Sequence, residues 1–219
     1  MLVGIIFDMD NTVLCSKIDF DRMKKDTAQT LRRWNALPVG WQRMSTGEMI
    51  DGGVALGIDQ EQYRLLWDHV AELEAVGLHN ALPEPGAVEC LHRLKEDFLL
   101  TLLTNNLHHA ALDALQTCGM ADCFSYLIGR GEVTALKPDP AGYEFLLAQF
   151  PHIPKKQWIA IGDSWLDGAA AVACGIDFAS YDCRQVDWQS RGVQPVFGIS
   201  RWDAQAVAAL QAWKQRKLL

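Results

Sequence analysis

Short apolar segments recur along the chain, and most of them are continuous rather than alternating with polar residues. A strand that is buried on both faces of a parallel sheet has this pattern, because neither face meets water. PVFGIS at 195–200 is a candidate for an additional strand. The predicted strands are LVGIIF (2–7), FLLTLLT (98–104), YLIG (126–129), WIAIG (158–162) and FASY (178–181).

The segments between these predicted strands have the three- and four-residue periodicity of helices. Val88, Leu91 and Leu94 are spaced three residues apart, as are Leu112 and Leu115. Because predicted strands and helices alternate, we expect an α/β fold in which a doubly wound parallel sheet is connected by right-handed crossovers.

The C-terminal residues have the pattern of an amphipathic helix. Trp202, Ala206, Leu210 and Trp213 would lie on its apolar face. This helix is expected to pack on the sheet, and a dimer contact is the alternative. The pattern of this helix therefore does not decide whether the protein is a monomer or a homodimer.

The stretch from 15 to 85 breaks the alternation, because it contains no convincing strand. Helical periodicity is clearest from Tyr63 to Leu73, and Gly- and Pro-containing breaks separate the predicted helices. The pattern predicts a helical domain over 15–85, inserted into an α/β domain formed by 1–14 and 86–219.

The composition is that of an ordinary globular protein: 49% of the 219 residues are hydrophobic, 21% are charged, and the net charge is −7. A nucleic-acid-binding protein would need a basic face, which this charge does not favour. No apolar stretch approaches the roughly 18–20 residues of a membrane span, and no signal peptide pattern is present. We therefore expect a cytoplasmic protein that binds neither nucleic acid nor a membrane.

The cysteines have irregular spacing and form no CxxC motif. In a reducing compartment this predicts buried thiols rather than disulfides. A metal or redox role for Cys118 and Cys123, the closest pair, is the alternative. The six cysteines are Cys15, Cys90, Cys118, Cys123, Cys174 and Cys183.

Polar side chains collect where the predicted strands end. In an open parallel sheet, ligands bind beyond the carboxyl ends of the strands. Each of these residues alone could be a helix cap, a turn residue or a solvated loop residue, but those explanations account poorly for the whole set at one edge. The set comprises Asp8 and Asp10, Thr104 and Asn105, Lys137, and Asp163 and Asp167.

Several carboxylates at one edge repel one another and favour a bound cation. Asp163 and Asp167 are four residues apart, so they share a helix face if a helix begins there. Mg²⁺ prefers oxygen ligands and usually keeps several waters, and with Lys137 beside it an anionic substrate such as a phosphate would fit. One carboxylate could then attack phosphorus and another could transfer protons. The residues alone leave open which acid has which role.

Four segments are similar, in order and spacing, to the four motifs of the haloacid dehalogenase (HAD) superfamily. The similarity covers 1–14 and 86–180, and the inserted stretch resembles the cap of the phosphoglycolate phosphatase-like branch in position and helical character. The resemblance implies a Rossmann-like core with an α-helical cap domain. The segments are DMDNT (8–12), LLTNN (102–106), LKPDP (136–140) and GDSWLD (162–167).

The resemblance also implies a role for each motif residue. Asp8 would be the nucleophile and a ligand of Mg²⁺. Asp10 would be the general acid and base, with its backbone carbonyl on the metal. Lys137 would neutralise the nucleophile and a phosphate oxygen. The remaining implied ligands are Thr104 and Asn105 for the phosphoryl group, and Asp163 and Asp167 for the metal.

Asp10 decides among the chemistries of the superfamily. Members that displace halide resemble this chain at Asp8 but lack the second acid, which is needed to protonate an oxygen leaving group. The resemblance therefore implies a phosphoric monoester hydrolase, a Mg²⁺-dependent phosphatase that cleaves a small phosphorylated metabolite through an aspartyl-phosphate. A phosphomutase is the alternative. A non-catalytic module that binds a phosphate or a partner is the third hypothesis, although every motif acid and the lysine are present.

The motifs do not define the leaving group of the substrate. GWQRMSTGEM at 40–49, within the predicted cap, is the candidate substrate loop. Arg43 in this loop could hold a second anionic group of the substrate. A surface position without a ligand is the alternative for Arg43.

Overall fold

The computed structural model describes residues 2–182 and 186–219. Their contacts divide them into two compact units, one formed by the residues up to Ser16 with Ala81–Leu219, and the other formed by Lys17–Asn80. We call these the sheet unit and the helical unit and describe each by itself.

A six-stranded sheet forms the centre of the sheet unit. The strands, in chain order, are β1 (Gly4–Phe7), β2 (Leu14–Cys15), β3 (Leu82–Pro83), β4 (Leu99–Leu107), β5 (Tyr126–Arg130), β6 (Trp158–Gly162), β7 (Asp177–Tyr181) and β8 (Phe197–Ile199). The order across the sheet is β5-β4-β1-β6-β7-β8, and every neighbouring pair is parallel. β2 and β3 form a separate antiparallel pair.

Helices follow most strands of the sheet unit and make up the helical unit. They are α1 (Phe20–Arg33), α2 (Thr46–Ala55), α3 (Gln60–His79), α4 (Ala87–Leu94), α5 (His108–Thr117), α6 (Ala141–Gln149), α7 (Trp165–Cys174) and α8 (Ala204–Leu218). The alternation of strands and helices around a parallel sheet confirms the predicted α/β fold class.

β1 lies at the middle of the sheet, between β4 and β6, and all four of its residues are buried. Ile5 and Ile6 are fully buried because this strand has neighbours on both edges and packing on both faces. Gly4 has a steric reason for its lack of a side chain, since a Cβ there would overlap the Trp158 ring. The carboxyl end of β1 is therefore held firmly in place.

The core on one face of the sheet combines side chains from β1 and the strands on either side of it with α6 and α7. Trp158 and Tyr143 are its largest buried side chains. Other members of this layer are Ile6, Leu103, Ile128, Leu146, Ala160, Ala170, Ala171 and Phe178.

The three helices of the helical unit begin at polar caps. Ser45 and Asp59 each form a capping box, in which the cap side chain and a side chain three residues later exchange hydrogen bonds with the backbone. Asp19 caps α1 in the simpler way. The apolar faces of α1, α2 and α3 supply buried side chains such as Leu31 and Ile50.

The structure refines several sequence expectations. The stretch 15–85 was expected to lack strands, but its ends contribute to the short β2–β3 pair, because Cys15 and Leu82 are opposite each other. Trp202 was expected within the C-terminal helix, but α8 begins at Ala204. The units divide after Ser16 and after Asn80, and the assignment of 15–85 as a cap domain stays a prediction.

The five cysteines in the described part of the chain carry thiols rather than disulfides, as expected, and Cys183 lies outside it. Among the described helices, none combines the length and the apolar character needed to cross a membrane.

The close packing of β1 on β6 predicts a specific cost at Gly4. We expect Gly4→Ala to lower the free energy of unfolding by about 1–3 kcal/mol, because the added methyl must displace the buried Trp158 ring. Urea unfolding measures this loss. The matched control is Gly198→Ala in the edge strand β8, where a methyl would meet the Ser180 hydroxyl at 3.3 Å. Equal losses in the two variants would contradict the explanation.

Candidate active site

The carboxyl ends of the three central strands bring the predicted polar residues together. Asp8 directly follows β1, Thr104 and Asn105 lie in β4, and Asp163 directly follows β6. Since β4 and β6 flank β1 in the sheet, these residues end up side by side although they are far apart in sequence.

Lys137 is the hub of the site. Its ammonium donates hydrogen bonds to Asp8 Oδ1 at 2.6 Å, to Asp167 Oδ1 at 2.6 Å and to the Leu103 carbonyl at 2.9 Å. These contacts use all three of its donors. Lys137 is 4% exposed, and burial alone would lower its pKa, but Asp167 and Asp8 raise the pKa well above the ordinary value. The two carboxylates therefore favour the charged form of the buried Lys137 side chain.

The Asn105 side chain holds the backbone of Lys137. Its Nδ2 donates to the Lys137 carbonyl at 3.0 Å, and its Oδ1 accepts from the Lys137 amide at 3.0 Å. This paired contact fixes the loop that carries the lysine. In the structure, Asn105 therefore positions Lys137. The direct contact of Asn105 with the phosphoryl group stays a prediction.

The two acids of the first motif have different surroundings. Asp8 is held by Lys137 on one oxygen and accepts from the Thr12 hydroxyl at 3.3 Å on the other. Asp10 Oδ2 accepts from Asn106 Nδ2 at 2.6 Å. The other oxygen of Asp10 is also buried. Hydrogen bonds from Ser16 and Asn106 lower the pKa of Asp10 and so oppose the effect of burial.

A tight turn connects the two acids to β2. Asn11 has a φ of 53°, a left-handed conformation that asparagine tolerates better than most residues. The amides of Val13 and Leu14 both donate to the Met9 carbonyl at 3.0 Å. These hydrogen bonds fix the backbone at Met9, the residue between Asp8 and Asp10.

Asp167 is placed by the first turn of α7. Ser164 is the N-cap of this helix, and Asp167 completes a capping box with it, since its Oδ2 accepts from the Ser164 amide and hydroxyl. A Cβ on Gly162 would overlap the Asp167 carboxyl, so the glycine allows this close approach. Asp167 therefore has two roles. One carboxyl oxygen accepts from Lys137, and the other stabilises the N-terminus of α7.

Negative charge exceeds positive charge at this edge of the sheet. Burial, followed by repulsion from Asp167, raises the pKa of Asp8 well above its ordinary value, although Lys137 lowers it. Burial also raises the pKa of Asp10. Burial and repulsion from Asp167 and Asp10 raise the pKa of Asp163 to about 7. The acids therefore hold protons more readily than exposed carboxyls do.

These residues fit a divalent cation. Carboxylate oxygens of Asp8, Asp163 and Asp167 all lie within 4.8 Å of one another, which is close enough for one ion to contact them. Mg²⁺ is a hard cation that prefers such oxygen ligands. A cation here would offset the charge that Lys137 leaves unbalanced and would displace protons from the acids.

Thr104 and Arg43 lie in different units. Thr104 is buried in β4, where its hydroxyl accepts from the Asn106 amide at 3.2 Å. Arg43 ends the short helical turn Trp41–Arg43 in the helical unit. Its contact with the substrate stays a prediction.

Asn106 is a site residue that the sequence analysis did not select. Its side chain binds Asp10, and its backbone amide binds Thr104. The available signal was a third polar residue directly after Thr104 and Asn105. β4 also continues beyond the expected end, with an irregular register between Leu103 and Leu107, and this extension carries Asn106 to Asp10.

A second group of potential metal ligands lies elsewhere in the sheet unit. Side-chain atoms of His92, Asp122 and Cys123 are within 4.8 Å of one another. Lys95 already neutralises Asp122 at 3.1 Å, and burial raises the pKa of the Cys123 thiol. Both features disfavour a cation there.

Comparisons with known proteins agree with this geometry. A profile of the haloacid dehalogenase-like hydrolases matches residues 3–175. A phosphoglycolate phosphatase from Cereibacter sphaeroides is 28% identical over 193 residues, which cover 81% of this chain and 84% of that protein.

Two solved structures show the same fold. A hydrolase from Pseudomonas syringae has a TM-score of 0.70 and 23% identity, covering 96% of this chain and 98% of its own. A provisionally named beta-phosphoglucomutase from Thermotoga maritima has a TM-score of 0.62 and 19% identity, covering 96% and 99%. At these identities the likeness concerns the fold alone.

The hub position of Lys137 predicts a large loss of stability on its removal. We expect Lys137→Ala to cost about 3–5 kcal/mol in the free energy of unfolding, because Asp8 and Asp167 stay buried without their cation. Urea unfolding in the presence of a chelator measures the loss without a contribution from metal.

Lys95→Ala is the control for this variant, since it also removes a lysine from a carboxylate but at an exposed position. We expect a much smaller loss there, because exposed ion pairs contribute little. Similar losses in the two variants would show that Lys137 does not hold the acids as described.

Proposed function

The chain belongs to the haloacid dehalogenase-like hydrolases, and we propose that it is a Mg²⁺-dependent phosphatase that hydrolyses a small phosphorylated metabolite through an aspartyl-phosphate. Family membership confirms the resemblance drawn from the four motifs and the predicted hydrolase class. The similarity to phosphoglycolate phosphatases agrees with the predicted phosphatase activity. The observation that carries the proposal is the buried Asp8 carboxylate, bonded to Lys137, with a second, half-buried acid two residues further on.

Asp8 is the nucleophile in this proposal. One of its oxygens attacks phosphorus, the new O–P bond forms, and the bond from phosphorus to the leaving oxygen breaks. Lys137 keeps the carboxylate oriented, and its positive charge opposes the rise in the pKa of Asp8 that burial and Asp167 cause. Bound Mg²⁺ would add positive charge beside Asp8, Asp163 and Asp167 and so stabilise the charge that develops on the phosphoryl oxygens.

Asp10 is the general acid and then the general base. Burial raises its pKa, which favours the protonated form that a general acid needs. In the second step it takes a proton from the water that attacks the aspartyl-phosphate, which releases phosphate and regenerates Asp8. Asn106 donates a hydrogen bond to one carboxyl oxygen of Asp10 at 2.6 Å and so restrains this side chain.

In this proposal Thr104, Asn105 and Lys137 bind the phosphoryl group, and Arg43 binds a second anionic group of the substrate. Phosphoglycolate is the first substrate to test, because related phosphatases are named for it and because Arg43 could bind a carboxylate. Action in the cytoplasm, as a monomer or homodimer, completes the proposal.

A phosphomutase is the second candidate, since a similar fold bears that name in Thermotoga maritima. The two activities differ in the fate of the phosphoryl group. A phosphatase releases it to water as inorganic phosphate, whereas a mutase returns it to a sugar. Phosphate release from a panel of phosphorylated metabolites, with phosphoglycolate included, separates the two.

Asp8→Asn tests the nucleophile. We expect turnover of p-nitrophenyl phosphate with Mg²⁺ to fall by roughly 10³-fold or more, because an amide oxygen does not form the covalent intermediate. Release of p-nitrophenol is the measurement, and circular dichroism checks the fold. Asp113→Asn, which makes the same chemical change on the exposed surface of α5, should keep wild-type turnover. Substantial activity in Asp8→Asn would contradict the assignment.

Mg²⁺ should raise the melting temperature of the wild-type chain. Binding to the folded state alone adds about 2.7 kcal/mol of stability when the free ion is at 100 times its Kd. We expect Asp163→Asn to lose most of this Mg²⁺-dependent increase, because it removes one of the clustered carboxylates. Differential scanning calorimetry with and without Mg²⁺ measures the increase. Asp113→Asn should retain it, and an unchanged response in Asp163→Asn would rule out this metal position.

A further inference from the structure

Trp202 makes an unexpected contact with the turn behind the nucleophile. It lies between β8 and α8, beyond residue 175 where the family match ends, and it is buried. Its indole Nε1 donates to the Thr12 carbonyl at 2.6 Å. The two residues are 190 positions apart in the sequence, so the fold places them together.

The Trp202 ring is fixed by aromatic neighbours from the sheet. It stacks on Tyr181 at the end of β7, with ring centroids 5.1 Å apart and planes at 17°. It also packs against Phe7, the last residue of β1, at 5.7 Å. The Trp202 backbone is close to Gly86, where a Cβ would overlap its carbonyl oxygen. The indole therefore approaches Thr12 from a rigid position.

Neighbouring bonds secure the rest of the turn to the same part of the sheet unit. The Glu84 amide donates to the Val13 carbonyl at 2.9 Å. Tyr181 in turn donates from its hydroxyl to the Glu84 carboxylate at 3.2 Å. The ring that stacks on Trp202 is thus connected to the residue that follows Thr12.

Thr12 connects this assembly to the nucleophile. It is fully buried, and its hydroxyl donates to Asp8 Oδ2 at 3.3 Å. This distance is long for a hydroxyl donor, as catalytic hydrogen bonds often are before the substrate binds. Lys137 therefore contacts one oxygen of Asp8, and the Thr12 hydroxyl contacts the other.

We propose that Trp202 is a positioning residue for the nucleophile. Its indole N–H fixes the Thr12 peptide, and this orients the Thr12 hydroxyl on Asp8 Oδ2. The C-terminal segment beyond residue 175, where the family match ends, then helps to orient the Asp8 carboxylate for attack. The inference rests on the proposed function of Asp8, and it assigns Trp202 a role through Thr12 rather than a contact with the substrate.

Trp202→Phe removes the indole donor and keeps an aromatic ring at the position. We expect kcat for p-nitrophenyl phosphate to fall about tenfold, because small errors in the aim of a nucleophile reduce the rate strongly. KM should stay close to the wild-type value, because the substrate contacts are unchanged. Partial unfolding would also lower the apparent kcat at unchanged KM, so kcat is expressed per folded molecule, with the folded fraction measured by circular dichroism. A loss of stability alone would leave this normalised kcat unaltered.

Trp213→Phe is the matched control. Trp213 is also buried, and its indole donates to Asp177 Oδ2 at 2.7 Å, so this variant loses a comparable hydrogen bond of the same segment. Since Asp177 begins β7 at the opposite end from the strand ends that carry the acids, kcat should stay at the wild-type value. Equal kcat in the two variants overturns the proposal.

A double-mutant cycle with Thr12→Val tests the route of the effect. Thr12→Val removes the hydroxyl and should itself lower kcat, while Thr12→Ser should keep it. If Trp202 acts through Thr12, adding Trp202→Phe to Thr12→Val lowers kcat no further. Additive losses overturn the proposed route. A wild-type kcat in Thr12→Val overturns it too, and this arm stands even if Trp202→Phe fails to fold.

Failure of the proposed phosphatase activity and failure of the positioning role of Trp202 give different results. A folded wild-type chain that releases phosphate from no substrate with Mg²⁺ overturns the proposed phosphatase activity and the positioning role together. An active wild-type chain with normal kcat in Trp202→Phe overturns the positioning role alone.

Discussion

The ammonium of Lys137 is the charge on which the architecture of the site depends. It joins the end of β1, the strand β4 and the start of α7, because its partners are Asp8 after β1, the Leu103 carbonyl in β4 and Asp167 in α7. Burying these groups separately would cost several kcal/mol each, and their mutual geometry offsets much of that cost. The loop that carries the lysine is itself fixed by Asn105, whose amide bonds the Lys137 backbone on both sides.

One lysine balances only part of the negative charge, and this imbalance is what makes the site chemically useful. Asp163 and Asp10 have raised pKa values because burial disfavours their charged forms. A fold selected for stability alone would replace such acids with apolar or paired residues. The excess charge therefore points to a function, since a divalent cation and an anionic substrate together would neutralise it.

The sheet and the outline of the site could be predicted from the sequence for a simple physical reason. Strands buried on both faces leave continuous apolar runs, and ligands bind at the carboxyl ends of such strands, so Asp8, Thr104 and Asp163 follow directly from the pattern. The contact of Asn106 with Asp10 could not be predicted, because it depends on an irregular extension of β4. The position of Trp202 was also missed, since its apolar character fits a helix face as well as the buried loop it occupies.

The contact between Trp202 and Thr12 shows why the motif residues alone do not describe how the proposed nucleophile, Asp8, is held. The four motifs place Asp8 and Lys137 together, and Lys137 restrains one oxygen of the carboxylate. The second oxygen depends on the Thr12 hydroxyl, and the Thr12 peptide depends on a ring from the segment beyond residue 175. That ring is located by β1 and β7 at once. Chains with the same four motifs but a different C-terminal segment would therefore share the chemistry of Asp8 and differ in how rigidly its second oxygen is oriented.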